Sequence, residues 1–128
     1  QAGPTAFVVE ERLWEELQLV ELGEGERIPR FEDVIRACQK HGLRMNVELK
    51  SSCPDLADRC ARVLEDFNAL SSATVTSFHR APLERLAKSY PKLALGYISA
   101  FGTTVERDIV TFLGERKQQG DCLTLCAE

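Results

Sequence analysis

The 128-residue sequence predicts an α/β fold built on a parallel sheet. Three observations carry that reading. From Pro29 onward, apolar stripes of helical period alternate with short runs rich in β-branched residues. Stop and start residues, Gly42, Pro54 and Pro82, fall between those stretches. The segment Met45-Asn46-Val47-Glu48-Leu49-Lys50 alternates strictly: Met45, Val47 and Leu49 share one face of a strand, and Asn46, Glu48 and Lys50 the other.

Taken in order, the stretch 1–28 reads as an irregular or inserted region. It holds a short helical pattern at Leu13-Trp14-Leu17, and Gly23-Glu24-Gly25-Glu26 reads as a loop without regular structure. The stretch 29–128 reads as βα repeats, and 1–128 together as a single domain. Phe31, Val34, Ile35 and Cys38 form one helical stripe, and Gly42 ends it. His41 near that end suits the negative pole of the helix.

The strand over 43–50 leads to Ser52-Cys53-Pro54-Asp55, where Ser52 is the expected cap, Pro54 fits the first turn and Asp55 favours the positive helix end. The helix that follows carries Leu56, Cys60, Val63, Leu64, Phe67 and Leu70 on one face. A second strand spans 73–78. Pro82 is expected to open a helix with Leu83, Leu86, Ala87 and Tyr90. A third strand covers 93–98, Val105, Ile109, Phe112 and Leu113 mark a further helix, and a fourth strand covers 121–127.

Strands alternating with helices imply helical crossovers between parallel neighbours, with helices outside the sheet. The rhythm fits an open doubly wound sheet and part of a barrel equally. Both put their ligand site beyond the C-terminal ends of the strands. Glu48–Lys50, Ser77-Phe78-His79 and Tyr97–Ser99 all occupy such ends. From the residues alone, Glu48 and Lys50 read level as a structural ion pair or as a site that handles metal and phosphate.

Composition narrows the classes. An apolar share of 44% and a charged share of 28% are those of an ordinary globular chain. The net charge of -4, with no basic stripe, argues against nucleic acid as a partner. No run approaches the ~20 apolar residues of a transmembrane segment, and no start resembles a secretory signal. Gln1 is an unusual beginning and suggests that chain is missing ahead of it. The five cysteines contain no CxxC pair. Cys38 and Cys60 lie on apolar helical faces and read as small buried hydrophobes, which implies a reducing, cytoplasmic compartment.

The segments Ile28-Pro29-Arg30-Phe31-Glu32-Asp33-Val34 and Asn46-Val47-Glu48-Leu49-Lys50, followed by Thr76-Ser77-Phe78 and Leu95-Gly96-Tyr97-Ile98, resemble the glycerophosphodiester phosphodiesterase family. That family writes a helix of the type I-P-T-L-E-E-V, a strand of the type N-I-E-I-K and later S-F-D. The resemblance runs from about Trp14 onward. It implies a (β/α)8 barrel of the TIM type, with this chain covering about the third to sixth βα units. It implies a small-molecule glycerophosphodiester substrate, hydrolysed to glycerol phosphate and an alcohol with a divalent cation, magnesium or calcium. On this resemblance Glu48 is catalytic and the metal ligand, Lys50 is catalytic and lies against the substrate phosphate, and Phe78 and His79 line the substrate. The chemistry is compatible: a hard cation takes carboxylate oxygen, and a lysine beside it offsets phosphate charge.

The family's His-Arg-Gly, Glu-x-Asp and His-Asp segments have no counterpart in this sequence, whose histidines are His41 and His79. Its late Trp-Thr-Val-Asn type of strand is also without a match. His79 stands where the family commonly has an acid and reads either as a solvated loop residue or as part of the site. The isolated chain is therefore expected to be inactive, its barrel completed by further chain segments or by a homo-oligomer that covers exposed strand edges. Two other readings are a barrel-derived binding or regulatory module without catalysis, and a small open α/β domain of the response-regulator or flavodoxin type without metal.

Overall fold

The computed structural model describes residues 8–99 and 123–127. The chain divides into two compact units, Gln1–Val34 and Ile35–Glu128, and the break falls within a helix rather than ahead of one. In the first unit, helix α1 (Trp14–Leu17) precedes strands β1 (Glu21–Gly23) and β2 (Glu26–Arg27). The two strands pair antiparallel, where the sequence had suggested a loop without regular structure. The turn explains the difference. Glu24 and Gly25 both adopt positive φ, 53° and 82°, the signs that a two-residue hairpin turn of the primed kind requires. Nearby, Arg12 pairs with Glu16 at 3.2 Å, the Leu13 N–H donates to Glu16 at 3.0 Å, and the Arg30 guanidinium stacks 4.6 Å from the Trp14 ring centre.

Helix α2 (Phe31–Lys40) begins in the first unit and ends in the second. It stops as expected at Gly42, whose φ is +64°. The Leu43 N–H reaches back to the Cys38 carbonyl at 2.9 Å and the Gly42 N–H to that of Gln39 at 3.2 Å. Those two bonds satisfy carbonyls that the helix end would otherwise leave open. Of the predicted stripe, Ile35 is fully buried while Val34 stays exposed.

The second unit continues with β3 (Met45–Glu48), α3 (Pro54–Asp66), β4 (Ala73–Ser77), α4 (Arg80–Ser89), β5 (Ala94–Ser99) and β6 (Leu123–Ala127). The strands form one parallel sheet in the order β3-β4-β5-β6. Met45 to Glu48 align with Ala73 to Thr76, and Thr74 to Ser77 with Ala94 to Tyr97. Leu95 to Ser99 align with Leu123 to Ala127. The helix read at Val105, Ile109, Phe112 and Leu113 lies outside the described residues.

Two features of α3 and α4 differ from the sequence reading. Cys53, not Ser52, occupies the cap of α3, and Pro54 is its first residue. A proline holds the residue before it extended, so the helix has to start at Pro54; the Ser51 hydroxyl accepts the Cys53 N–H at 3.2 Å. The buried face of α3 is Ala57, Cys60, Ala61 and Leu64, while Leu56 is exposed. Small alanines on that face let α3 lie close against α4, which in turn packs on β4 and β5. Helix α4 starts at Arg80, two residues before Pro82. Proline is tolerated there because N–H groups of the first turn have no intrahelical acceptor. At the end of α3, Asn68 takes the left-handed conformation (φ 53°) and the Ala69 N–H returns to the Leu64 carbonyl at 2.7 Å.

The core residues of the sheet are Met45, Leu49, Ala73, Val75, Leu93 and Leu95, with Ile35, Leu64, Leu83 and Leu86 from the helices. Register puts Val75 against Val47 and Leu95, all on the parity of Met45 and Leu49. The opposite parity carries Asn46, Glu48, Thr74 and Thr76. No helix among the described residues is long and apolar enough to cross a membrane.

Candidate functional site

The C-terminal ends of β3, β4 and β5 come together along one edge of the sheet because the strands are parallel and aligned residue for residue. Glu48 is the last residue of β3, and Lys50 lies two residues beyond it. Phe78 and His79 follow the last residue of β4, and Ser99 ends β5. The sequence-predicted residues Glu48, Lys50, Phe78 and His79 thus sit on the tips of two neighbouring strands.

Glu48 and Lys50 form a direct ion pair, Lys50 Nζ donating to Glu48 Oε1 at 2.8 Å. The alternation of β3 explains why they meet: two residues apart, they leave the strand on the same side. Their environments differ. The Glu48 side chain is 30% exposed, whereas that of Lys50 is 81% exposed. The strand ends at Glu48, and Lys50 lies two residues past that end. An exposed pair of this kind contributes about 0–1 kcal/mol to stability. Lys50 can consequently leave Glu48 for an anionic ligand at little cost.

Beside the pair, the Thr76 hydroxyl donates to Asn46 Oδ1 at 3.2 Å across the β3–β4 ladder. Periodicity named Asn46 as a face-mate of Glu48; the part of Thr76 follows only from register. The buried Ser77 hydroxyl donates to the Leu49 carbonyl at 2.7 Å and accepts the His79 N–H at 3.0 Å. It thus ties the exit of β3 to the exit of β4. Its signal in the sequence was the S-F pair alone, which does not disclose a staple.

Phe78 is 42% exposed and His79 is exposed, holding the cap position of α4 through its backbone. An exposed aromatic ring at the rim offers an apolar surface, and the exposed imidazole offers ring nitrogens that donate or accept hydrogen bonds. His41 lies just beyond the end of α2, away from the strand tips in the chain order of the sheet.

Calcium takes six to eight oxygen ligands from carboxylates, carbonyls and waters, and magnesium binds through one or two carboxylates together with waters and substrate phosphates. Among the described residues no group of three or more His, Cys, Asp or Glu side chains is placed to hold a metal. At the strand tips Glu48 is the one carboxylate among them, so the described residues offer a single charged oxygen ligand toward such an ion.

No known family's sequence profile matches the chain, and no curated protein matches it. Solved structures do. The chain is similar to a candidate glycerophosphodiester phosphodiesterase from Galdieria sulphuraria, with a TM-score of 0.73 and 16% identity over 96% of this chain and 59% of that one. It is also similar to a glycerophosphodiester phosphodiesterase from Parabacteroides distasonis, with a TM-score of 0.62 and 18% identity over 89% of this chain and 57% of that one. The chain therefore spans less than two thirds of the length of either structure. At these identities the likeness is one of fold.

Proposed function

We propose that this chain is part of a phosphodiester hydrolase acting on glycerophosphodiesters, releasing glycerol phosphate and an alcohol. The observation that carries the reading is the position of the Glu48–Lys50 pair. It lies at the C-terminal tip of a parallel strand, in a chain that matches a candidate glycerophosphodiester phosphodiesterase over 96% of its length. In such α/β folds, the strand tips are where ligands bind. On this reading the chain supplies about the third to sixth βα units of a (β/α)8 barrel.

Lys50 meets the phosphate. Its ammonium is exposed and loosely held, so it moves from Glu48 Oε1 to a phosphate oxygen and offsets the charge that builds up during displacement at phosphorus. Glu48 keeps that ammonium at the tip when no substrate is present. The exposed Phe78 ring and the His79 imidazole stand at the rim of the neighbouring strand, where the leaving alcohol would pass. Glu48 is also the oxygen donor that a divalent cation would meet here. A single carboxylate does not make a coordination shell, and Lys50's part does not depend on one. The isolated 128-residue chain has no histidine pair placed for acid/base work and is proposed to be inactive by itself.

The test is release of glycerol phosphate from a glycerophosphodiester, such as glycerophosphocholine, by the intact protein. Turnover that a chelator abolishes and magnesium or calcium restores is the expected result. A clean preparation that binds and cleaves no glycerophosphodiester under any metal condition would overturn the proposal.

A further inference from the structure

The Thr76 hydroxyl is almost fully buried and donates to Asn46 Oδ1 at 3.2 Å. Both residues belong to the sheet face that carries Glu48, because Asn46 aligns with Thr74 and Glu48 with Thr76. With the oxygen turned toward Thr76, the two Nδ2 hydrogens are left as donors on the open side of an exposed side chain. Among the described residues no protein acceptor meets them.

Asn46 stands two residues from Glu48 on the same face, about 7 Å along the strand. A neutral amide donor this close to a carboxylate suits a hydroxyl group. A hydroxyl accepts from the amide and donates to the carboxylate, while an anionic oxygen in the same place is repelled by Glu48. Farther toward the tip lies the Lys50 ammonium, 2.8 Å from Glu48 Oε1. Donor, acceptor and cation follow one another along β3, which matches a polyol that carries a phosphate at one end.

We infer that Asn46, oriented by Thr76, binds a hydroxyl of the glycerol moiety and so sets that moiety toward the sheet and the phosphate toward the rim. This rests on the glycerophosphodiester reading given above. Thr76 touches no substrate and is a positioning residue.

Two measurements on the intact protein test it. Thr76→Val removes the hydroxyl with little change of volume, and Thr76→Ser restores it. KM for a glycerophosphodiester should rise about fivefold in Thr76→Val, the loss of one ordinary hydrogen bond, with kcat little changed and recovery in Thr76→Ser. KM for the matching ethyl diester, which carries no free hydroxyl on that side, should stay where it was. No change for either substrate overturns the inference, and so does an equal rise for both, which would assign Thr76 to the fold alone. The second measurement does not depend on turnover. The Asn46 side-chain amide resonance, assigned with Asn46→Asp, should shift on titration with glycerol but not with inorganic phosphate, and should stop responding in Thr76→Val. A response to phosphate alone, or to neither, overturns the inference. If the wild-type protein hydrolyses no diester, the functional reading fails, and the resonance still decides whether Asn46 binds a polyol hydroxyl.

Discussion

The Ser77 hydroxyl donates to the Leu49 carbonyl at 2.7 Å, bridging the ends of two neighbouring strands from a fully buried position. Leu49 lies between Glu48 and Lys50, and the same hydroxyl accepts the N–H of His79 at 3.0 Å. One side chain therefore sets where both halves of the candidate site leave the sheet. A buried hydroxyl that satisfies a carbonyl and an N–H together is costly to lose, because two backbone groups are left without a partner.

Ser77→Ala is accordingly expected to destabilise the protein by about 1–3 kcal/mol. The check is the urea unfolding midpoint at unchanged slope. An unaltered midpoint would show that water or a neighbour replaces the hydroxyl.

Cysteine reactivity should divide along burial. Cys60 lies in the buried face of α3, and desolvation pushes its thiol up to about 11, so almost no thiolate is present at neutral pH. Cys53, at the exposed start of the same helix, has no such shield. Peptide mapping after brief iodoacetamide treatment at pH 7.5 should find Cys53 alkylated and Cys60 intact, with Cys60 labelled only after denaturation. Equal labelling of both would place Cys60 at the surface.

Asp58 on α3 and Arg85 on α4 clamp the two helices together, Arg85 Nε donating to Asp58 Oδ2 at 2.8 Å. The Arg85 hydrogen bond, opposed in part by desolvation, holds the Asp58 carboxyl below its ordinary value of 3.8. A carboxyl depressed in the folded state contributes stability that is fully present above its unfolded value and is lost as pH falls through the folded one. The difference in unfolding midpoint between wild type and Asp58→Asn should thus be constant from neutral pH down to about 5 and shrink below it. A difference that grows on acidification would contradict the clamp.

Much of this architecture is legible in the residues. Strict alternation places Met45 and Leu49 in the core and Asn46 and Glu48 on the other face, because side-chain direction in a strand depends on parity alone. Gly42 marks the end of α2 because its positive φ is strained for side-chain-bearing residues. Other features depend on contacts that no local pattern carries. The hairpin at Glu21–Arg27 needs Glu24 in a left-handed conformation that its residue type does not announce. The turn of α3 onto Ala57 and Ala61 rather than Leu56 follows from how close α4 lies. Exposure of Lys50 depends on where β3 stops, and the Thr76–Asn46 and Ser77–Leu49 bonds depend on register between strands nearly thirty positions apart.

Lys50→Ala should lower kcat/KM of the intact protein while leaving its thermal midpoint within about 1 °C, since an exposed ion pair adds little to the fold. A large loss of stability with unchanged kcat/KM would assign the pair to structure.

The most direct measurement is the rate at which intact Glu48→Gln releases glycerol phosphate, set beside its far-ultraviolet dichroism and thermal midpoint. Amide for carboxylate keeps the shape of the side chain and removes its charge. We predict that hydrolysis is abolished while both folding measures stay as in the wild type. Full turnover in this variant would contradict the assignment of the strand tip as the site of chemistry.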